Sequence, residues 1–480
     1  MVKTPCKDRH VHLSKQNLMK EYYVTVPKNL NLDQRLSKFP PEFKFSKEYC
    51  YYFISELICH LPYSNINKKN NMSSVIKQYH SMCAIINNAH FRDSKLHLNY
   101  LYTDFPGEGR FLWRKNYGKG QCFSYALPEY YWGDGELEII KISDKSLLKK
   151  ISKHNKPTID NSVRKKYNFT INYFAIDRFE LDEELALKEL YLQYQQTNNY
   201  QKYLSNVMKI VDFKNGLFNF YHNPETDGRL HTAITSFPKV CRKYLKYDGE
   251  NLAEIDLSSS IPFFLSTILH SPHTSQPIDL NTIINSKDIL YHYMIAESSV
   301  SPSIKDIGHF RELILSNRLY EYFMSDFMNL SSFELNFEES FNRSFDGDED
   351  DLRKYSKNRF LSMLFANPSH YKEEQSVFYK YFPTLHDFIK KFKKIKFRNS
   401  VRGDWHKKLS YLTFQLESHF MLNIIAREIN KTHRREIPLF TLHDCLVVKE
   451  SHLDQIYMEM KNIFIREIGY APSMIKKVWC

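Results

Sequence analysis

Glycine is scarce in this chain, 13 of 480 residues, under half its usual share of ~7%. That shortage excludes collagen-like repeats and argues against Gly-rich phosphate loops and long disorder. The eight cysteines, at positions 6, 50, 59, 83, 122, 241, 445 and 480, include no CxxC pair and fall far short of a disulfide scaffold. Reduced thiols in a cytoplasmic protein are the expectation. No apolar run approaches the roughly 18 residues of a membrane span, and the opening MVKTPCKDRHVHLSK lacks a hydrophobic signal core. A soluble, non-secreted protein with no membrane partner is therefore expected. No internal repeat is visible.

What the chain has in excess is positive charge and aromatic rings. A formal net charge of +12 attracts polyanions by releasing their counterions, which puts nucleic acid first among partner classes. Aromatic residues reach 15%, with 33 Tyr and 35 Phe. Such rings can stack on unpaired bases, but core filling is the better account for most of them.

Residues 1 to about 70 mix short apolar and polar runs, and YCYYFISELICHL (49–61) predicts a buried helix. From 71 to 145, SSVIKQYHSMCAIINNAHF predicts helix, and the Gly- and Pro-punctuated aromatic stretch after it predicts short strands. A small mixed domain of winged-helix type follows from that pattern, closed by a polar linker over 150–168 and a boundary near 165. LDEELALKELYLQYQQTNNYQKYLSNVMKIV (181–211) predicts one or two long helices. The remaining half alternates brief strands, LAEIDL at 252 and IPLFTLHDCLVVKE at 437, with charged helical stretches. The fold class is α+β and helix-rich.

Two aspartates stand at the end or bend of apolar strands, where an ionised carboxylate is costly unless a metal or partner satisfies it. They are Asp256 in AEIDLSSSIPFFL and Asp444 in FTLHDCLVV, the latter expected in a hairpin with His443. The same letters TLHD recur at 384–387 inside an amphipathic helical run, so the dipeptide alone is cheap. Between the aspartates, DDLRKYSKNRFLSMLFAN places Arg353, Lys357, Leu361 and Phe365 four apart. On a helix this is one ridge of roughly 18 Å, with two cations followed by two apolar groups. Such a ridge suits a triphosphate at one end and a base or sugar at the other.

In this order and spacing the three segments resemble motifs A, B and C of the family A DNA polymerases and the single-subunit phage and mitochondrial RNA polymerases, over roughly 220–480. Asp256 matches the metal-binding Asp of motif A. Arg353, Lys357 and Phe365 match motif B, and His443 with Asp444 matches motif C. TDGRLHTAITSFPK is similar to the Gly-Arg element that precedes motif A, which implies a place for Arg229 near primer or template.

The resemblance implies a right-hand palm over 251–275 and 376–480 with motifs A and C. It further implies helical fingers with motif B over 276–375, thumb-like helices within 166–250, and an N-terminal region of separate purpose. It also implies a template-dependent nucleotidyltransferase, with two Mg²⁺ ions, or Mn²⁺ in their place, held by Asp256 and Asp444. Its partners would be a DNA or RNA primer–template and nucleoside triphosphates. Arg353 and Lys357 would neutralise phosphates, Lys357 would protonate the leaving pyrophosphate, and Leu361 and Phe365 would line the nucleotide. By analogy the setting is a virus or other mobile element.

The departures are specific. Ile261 stands where DNA-making members carry the Glu that excludes the ribose 2′ hydroxyl, so product sugar stays open. Phe365 is followed by Ala366 where Tyr-Gly is usual, and Asp444 by Cys445 where Glu or Ser is usual.

Other signals are weighed separately. KKFKKIKFR, carrying Lys390, Lys391, Lys393, Lys394, Lys396 and Arg398, suits a nucleic-acid backbone track, with a solvated basic face about equally expected. DGDEDD from Asp346 fails as a calcium loop at its sixth and twelfth positions and reads as an acidic lead into the motif B helix. Asp134 and Glu136 read as a surface turn. Two alternative functions stand beside the polymerase. One is a non-catalytic nucleic-acid-binding protein on a decayed polymerase scaffold, and the other is a nickase-type replication initiator using His10 and His12. A His-x-His is expected about once by chance in a chain with 20 histidines.

Overall fold

The computed structural model describes residues 20–63, 71–77, 79–81, 94–115, 123–154, 159–274, 277–396 and 405–480. The chain divides into two units, one holding residues up to 220 with 232–252 and 479–480, the other holding 221–231 and 253–478. No described helix is long and apolar enough to cross a membrane.

In the first unit, the β-branched and aromatic run YYVTVP forms β1 (Tyr22–Pro27), paired antiparallel with β2 (Leu137–Ile142) from Tyr22↔Ile142 to Pro27↔Leu137. The predicted buried helix is present as α1 (Lys47–His60), capped by Ser46 and packed on β1 through buried residues that include Phe53, Ile54 and Leu57. The long periodic stretch folds as two helices, α2 (Glu183–Thr197) and α3 (Tyr200–Lys214). They are broken by Asn198 in the left-handed region and restarted by Asn199, whose side chain accepts the Lys202 N–H. Short strands β3 (Phe179–Leu181) and β4 (Leu245–Tyr247) pair with each other, and β4 pairs with the first residues of β5 (Glu250–Leu257).

Two expectations are corrected here. The β1–β2 ladder joins segments on either side of position 70, so the first seventy residues are not a helical region by themselves. Where a linker was expected, helices Lys145–His154 and Asn161–Ile171 stand, and Val163, Tyr167 and Ile171 are buried at 5%, 1% and 1% exposure. Their four-residue spacing gives an inward stripe that the surrounding lysines and asparagines hide in composition.

In the second unit, Ala253–Leu257 of β5 pair antiparallel with β8 (Met474–Val478), register Asp256↔Ile475. The hairpin β6 (Phe440–Leu442) and β7 (Cys445–Lys449) continues that sheet, with β7 beside β5. Helix α4 (Ser260–His270) follows β5 directly and is almost wholly buried. A helical run between 280 and 394 includes α5 (Leu319–Met328), α6 (Glu349–Phe365) and α7 (Pro383–Lys394), and α8 (Lys408–Ser418) comes after it. The apolar core of that run is aromatic. Phe310, Phe323, Phe360, Phe378 and Phe382 are each at most 2% exposed and lie edge-on, tilted or, for Phe323 on Phe360, stacked at 5.4–6.4 Å, each burial contributing about 1.5–3 kcal/mol. The described chain is thus helix-rich α+β. TLHD at 384–387 lies in α7, as its helical pattern predicts.

Candidate active site

One aspartate lies on a strand and the other in the turn that enters the neighbouring strand. Asp256 is the penultimate residue of β5, and strand alternation places it on the face of Glu254, with Ala253, Ile255 and Leu257 on the other face, all at most 2% exposed. Asp444 occupies the second place in the two-residue turn between β6 and β7, which Leu442↔Cys445 closes. Such a turn requires positive φ at its first position, and His443 adopts +63°. The N–H of Leu257, the residue after Asp256, donates to the Asp444 carbonyl at 3.2 Å. Both carboxylates are half-buried.

Asp444 is held above the usual carboxylate range by burial, against its own backbone amide and the charges of Arg229 and Lys357, with the Glu254 charge adding to the rise. It thus lies within electrostatic reach of two cations that the sequence singled out.

Arg229 sits in the segment before β5 and is anchored on α8. Its Nε and Nη2 donate to the same Glu417 Oε1, at 2.9 and 2.6 Å, and its guanidinium lies over the Phe414 ring at 4.0 Å. Glu417 is completely buried, and its other oxygen accepts the Ser260 hydroxyl at 2.7 Å. Burial drives its carboxyl up to about 7 against the pull of Arg229, with the Asp444 charge adding to the rise and Ser260 opposing. The same helix holds the neighbouring backbone. Gln415 Nε2 donates to the Thr226 carbonyl at 2.8 Å, and the Ser418 hydroxyl donates to the Gly228 carbonyl. Gly228 has φ +64°, and a Cβ there would meet Gln415 Cγ at 3.4 Å.

Helix α6 carries the predicted ridge. Asp348 caps its start by accepting the Asp351 N–H at 2.9 Å, which is the acidic lead read from the sequence. Arg353, Lys357, Leu361 and Phe365 are at least partly exposed, while Leu352, Tyr355, Phe360, Met363 and Leu364 face inward. Arg353 pairs with Glu321, and both Arg353 and Lys357 lie near the Tyr320 ring, at 6.0 and 5.8 Å. Burial pushes the Tyr320 phenol up to about 12, opposed by its hydrogen bond with Ser259 and by the Arg353 charge. Ser259, at φ +55°, is the turn residue between β5 and α4, so Tyr320 links the ridge to the segment after Asp256. At the far end, Phe365 packs on Phe414 at 5.7 Å. Ile261 is half-buried in the first turn of α4, and the His443 ring lies 5.2 Å from that of His231.

The basic run divides. Lys390, Lys391, Lys394 and Lys396 are exposed. Lys393 is 6% exposed and does not belong to a solvent-facing track. Its Nζ donates to the Met363 and Ala366 carbonyls at 3.0 and 2.9 Å, satisfying the C-terminus of α6, and burial drops its pKa to about 7. Arg398, His10 and His12 lie outside the described residues. Asp134 and Glu136 form a turn in which Asp134 accepts the Glu136 N–H at 3.3 Å.

Among the described residues no group of three or more His, Cys, Asp or Glu is arranged to hold a metal ion. The carboxylates that the sequence nominates, Asp256 and Asp444, are the candidate donors. Mg²⁺ commonly takes one or two carboxylates and fills its shell with water and phosphate oxygens, and Asp444 carries a burial cost that a cation would relieve. The chemistry of the pair fits that ion.

Glu417, Tyr320, Phe414 and Gln415 went unread in the sequence. A signal for Glu417 exists in the four-residue spacing Leu409, Thr413, Glu417, which continues a buried stripe into a charged residue.

Neither a protein-family model nor a curated protein sequence matches the chain. Among solved structures it is similar to the POL domain of Pol1 from M. smegmatis, solved in complex with DNA primer-template and dNTP. Identity is 10% and the TM-score 0.33, over 60% of this chain and 55% of that one. This chain therefore spans about half of that structure's length. A TM-score that low does not establish a shared fold.

Proposed function

We propose that this chain is a template-directed nucleotidyltransferase whose reaction centre is Asp256 and Asp444, built as a palm with α6 as part of the fingers. The observation that supports the reading is the backbone hydrogen bond from Leu257 to Asp444, which sets the strand end carrying Asp256 beside a turn 188 positions later in the sequence. The cations Arg229 and Lys357, which act on the Asp444 carboxyl, support it.

In this reading Lys357 and Arg353 counter the charge of the triphosphate, and Tyr320 keeps both cations beside the turn at Ser259. Lys357 delivers a proton to the leaving pyrophosphate. Phe365, backed by Phe414, packs against the base. Arg229 meets the primer or template strand, and His443 lies at the same end of the hairpin. Exposed Lys390, Lys391, Lys394 and Lys396 follow the nucleic-acid backbone. Bound Mg²⁺ ions would activate the attacking 3′ hydroxyl and neutralise the leaving group. With Ile261 in place of a carboxylate, both deoxy- and ribonucleotides are candidate substrates.

Primer extension with Mg²⁺ and either dNTPs or NTPs tests this. Asp256→Ala and Asp444→Ala should each abolish incorporation, and incorporation that survives either change overturns the reading. Tight primer–template binding with no incorporation by the native chain would instead favour a non-catalytic nucleic-acid-binding protein.

A further inference from the structure

The second unit buries an ion pair beside the candidate centre, between Arg229 and Glu417. Glu417 is fully buried on α8 and takes both Nε and Nη2 of Arg229 on a single oxygen, at 2.9 and 2.6 Å. Its second oxygen is committed to Ser260, one turn past Asp256, at 2.7 Å. Phe414 covers one face of the guanidinium at 4.0 Å. The carboxylate therefore fixes one edge of the group and the ring fixes its plane. Among the described residues Nη1 has no hydrogen-bond partner, and the Arg229 side chain keeps 17% of its surface exposed.

Energetics argue that this arrangement is kept for a task. Burying an ion pair costs desolvation that the mutual attraction seldom exceeds, and well-packed apolar residues usually serve stability as well or better. Here the cost is plain in Glu417 itself, whose carboxyl burial drives upward even with Arg229 on it. A guanidinium immobilised in plane and along one edge is, by contrast, what presenting the remaining N–H groups to a fixed acceptor requires.

We infer that Glu417 is the positioning residue for Arg229, presetting its Nη1 edge to bind a primer–template and tying that edge through Ser260 to the turn after Asp256. The inference rests on the reading under Proposed function for the identity of the ligand. Glu417 touches neither substrate nor reacting atoms and acts through Arg229.

The test is a double-mutant cycle read by fluorescence anisotropy of a labelled primer–template, with extension measured in parallel on the same full-length proteins. Glu417→Gln and Arg229→Ala should each weaken binding by about tenfold, and the double variant by the same total of about tenfold rather than about a hundredfold, because both changes remove one function. Glu417→Asp should recover part of the loss. Once primer–template saturates, the Glu417→Gln variant should extend within about threefold of the native rate, so that the defect is in KM rather than kcat. Native-like binding by Glu417→Gln, or losses that multiply in the double variant, would overturn the inference. If Glu417→Gln does not fold, the comparison rests on Arg229→Ala against Arg229→Ala/Glu417→Gln. Equal binding by those two supports the role and a further tenfold loss refutes it. Binding needs no chemistry, so a native chain that binds with this coupling but never extends would sink the polymerase reading and leave the positioning role standing.

Discussion

The backbone N–H of Leu257 donates to the carbonyl of Asp444 at 3.2 Å, and that one bond sets the strand after Asp256 against the turn that carries Asp444. Several measurable consequences depend on the two carboxylates sharing one site.

Divalent-ion binding should be pH-dependent. Burial holds Asp444 above the usual carboxylate range, so in the absence of ions it keeps its proton to a higher pH than an exposed aspartate. Ion binding must displace that proton. Calorimetric titration with Mn²⁺ should show affinity rising from acid toward neutral pH with proton release, and Asp444→Asn should remove both the site and the pH dependence. Affinity that is flat with pH would contradict the assignment.

Lys357→Ala should lower kcat/KM for the nucleotide by about a hundredfold, the scale of losing one preorganised charge on a developing anion. Arg353→Ala should cost less, since that guanidinium is already paired with Glu321. Steady-state kinetics at saturating primer–template distinguishes the two.

Stability above neutral pH should report Lys393. Its folded pKa, about 7, lies below the ordinary lysine value of 10.5, so between those values the unfolded chain binds more protons and stability rises with pH. The gain is at most about 1.4 kcal/mol per pH unit and is complete once the unfolded lysine also loses its proton. A neutral amine still has two N–H groups for the Met363 and Ala366 carbonyls. Lys393→Met should flatten this segment of the urea-unfolding profile against pH. An unchanged slope would place the titration elsewhere.

Gly228→Ala forces an L side chain into φ +64° against Gln415 and should destabilise the second unit by about 1–2 kcal/mol. Denaturant unfolding followed by circular dichroism measures it.

Replacing Lys390, Lys391, Lys394 and Lys396 together by alanine should reduce the salt slope of nucleic-acid binding by about three to four. Lys393→Met should leave that slope unchanged, because its ammonium is buried.

The strand ending in Asp256, the His443–Asp444 hairpin and the ridge on α6 were legible because each is a local pattern of period two or four bounded by a turn or cap. Glu417 was not, since a charge inside an apolar helical stripe reads as a surface residue until its partner Arg229, 188 positions earlier, is known. Lys393 hid among six cations, although its spacing from His386 and Ile389 marks it as inward-facing. The β1–β2 ladder pairs strands more than a hundred residues apart, and nothing local in either strand specifies the other. Helices Lys145–His154 and Asn161–Ile171 were missed because a lysine- and asparagine-rich surface dominated the composition of a segment with a narrow buried stripe.

The most direct measurement of the central claim is single-turnover nucleotide incorporation by Asp256→Asn and Asp444→Asn beside the native chain, with primer–template affinity measured on the same proteins. The account predicts incorporation lowered by at least about a thousandfold in both variants while binding stays within a few-fold of native. Incorporation by either variant within about tenfold of native, at matched binding, would contradict it.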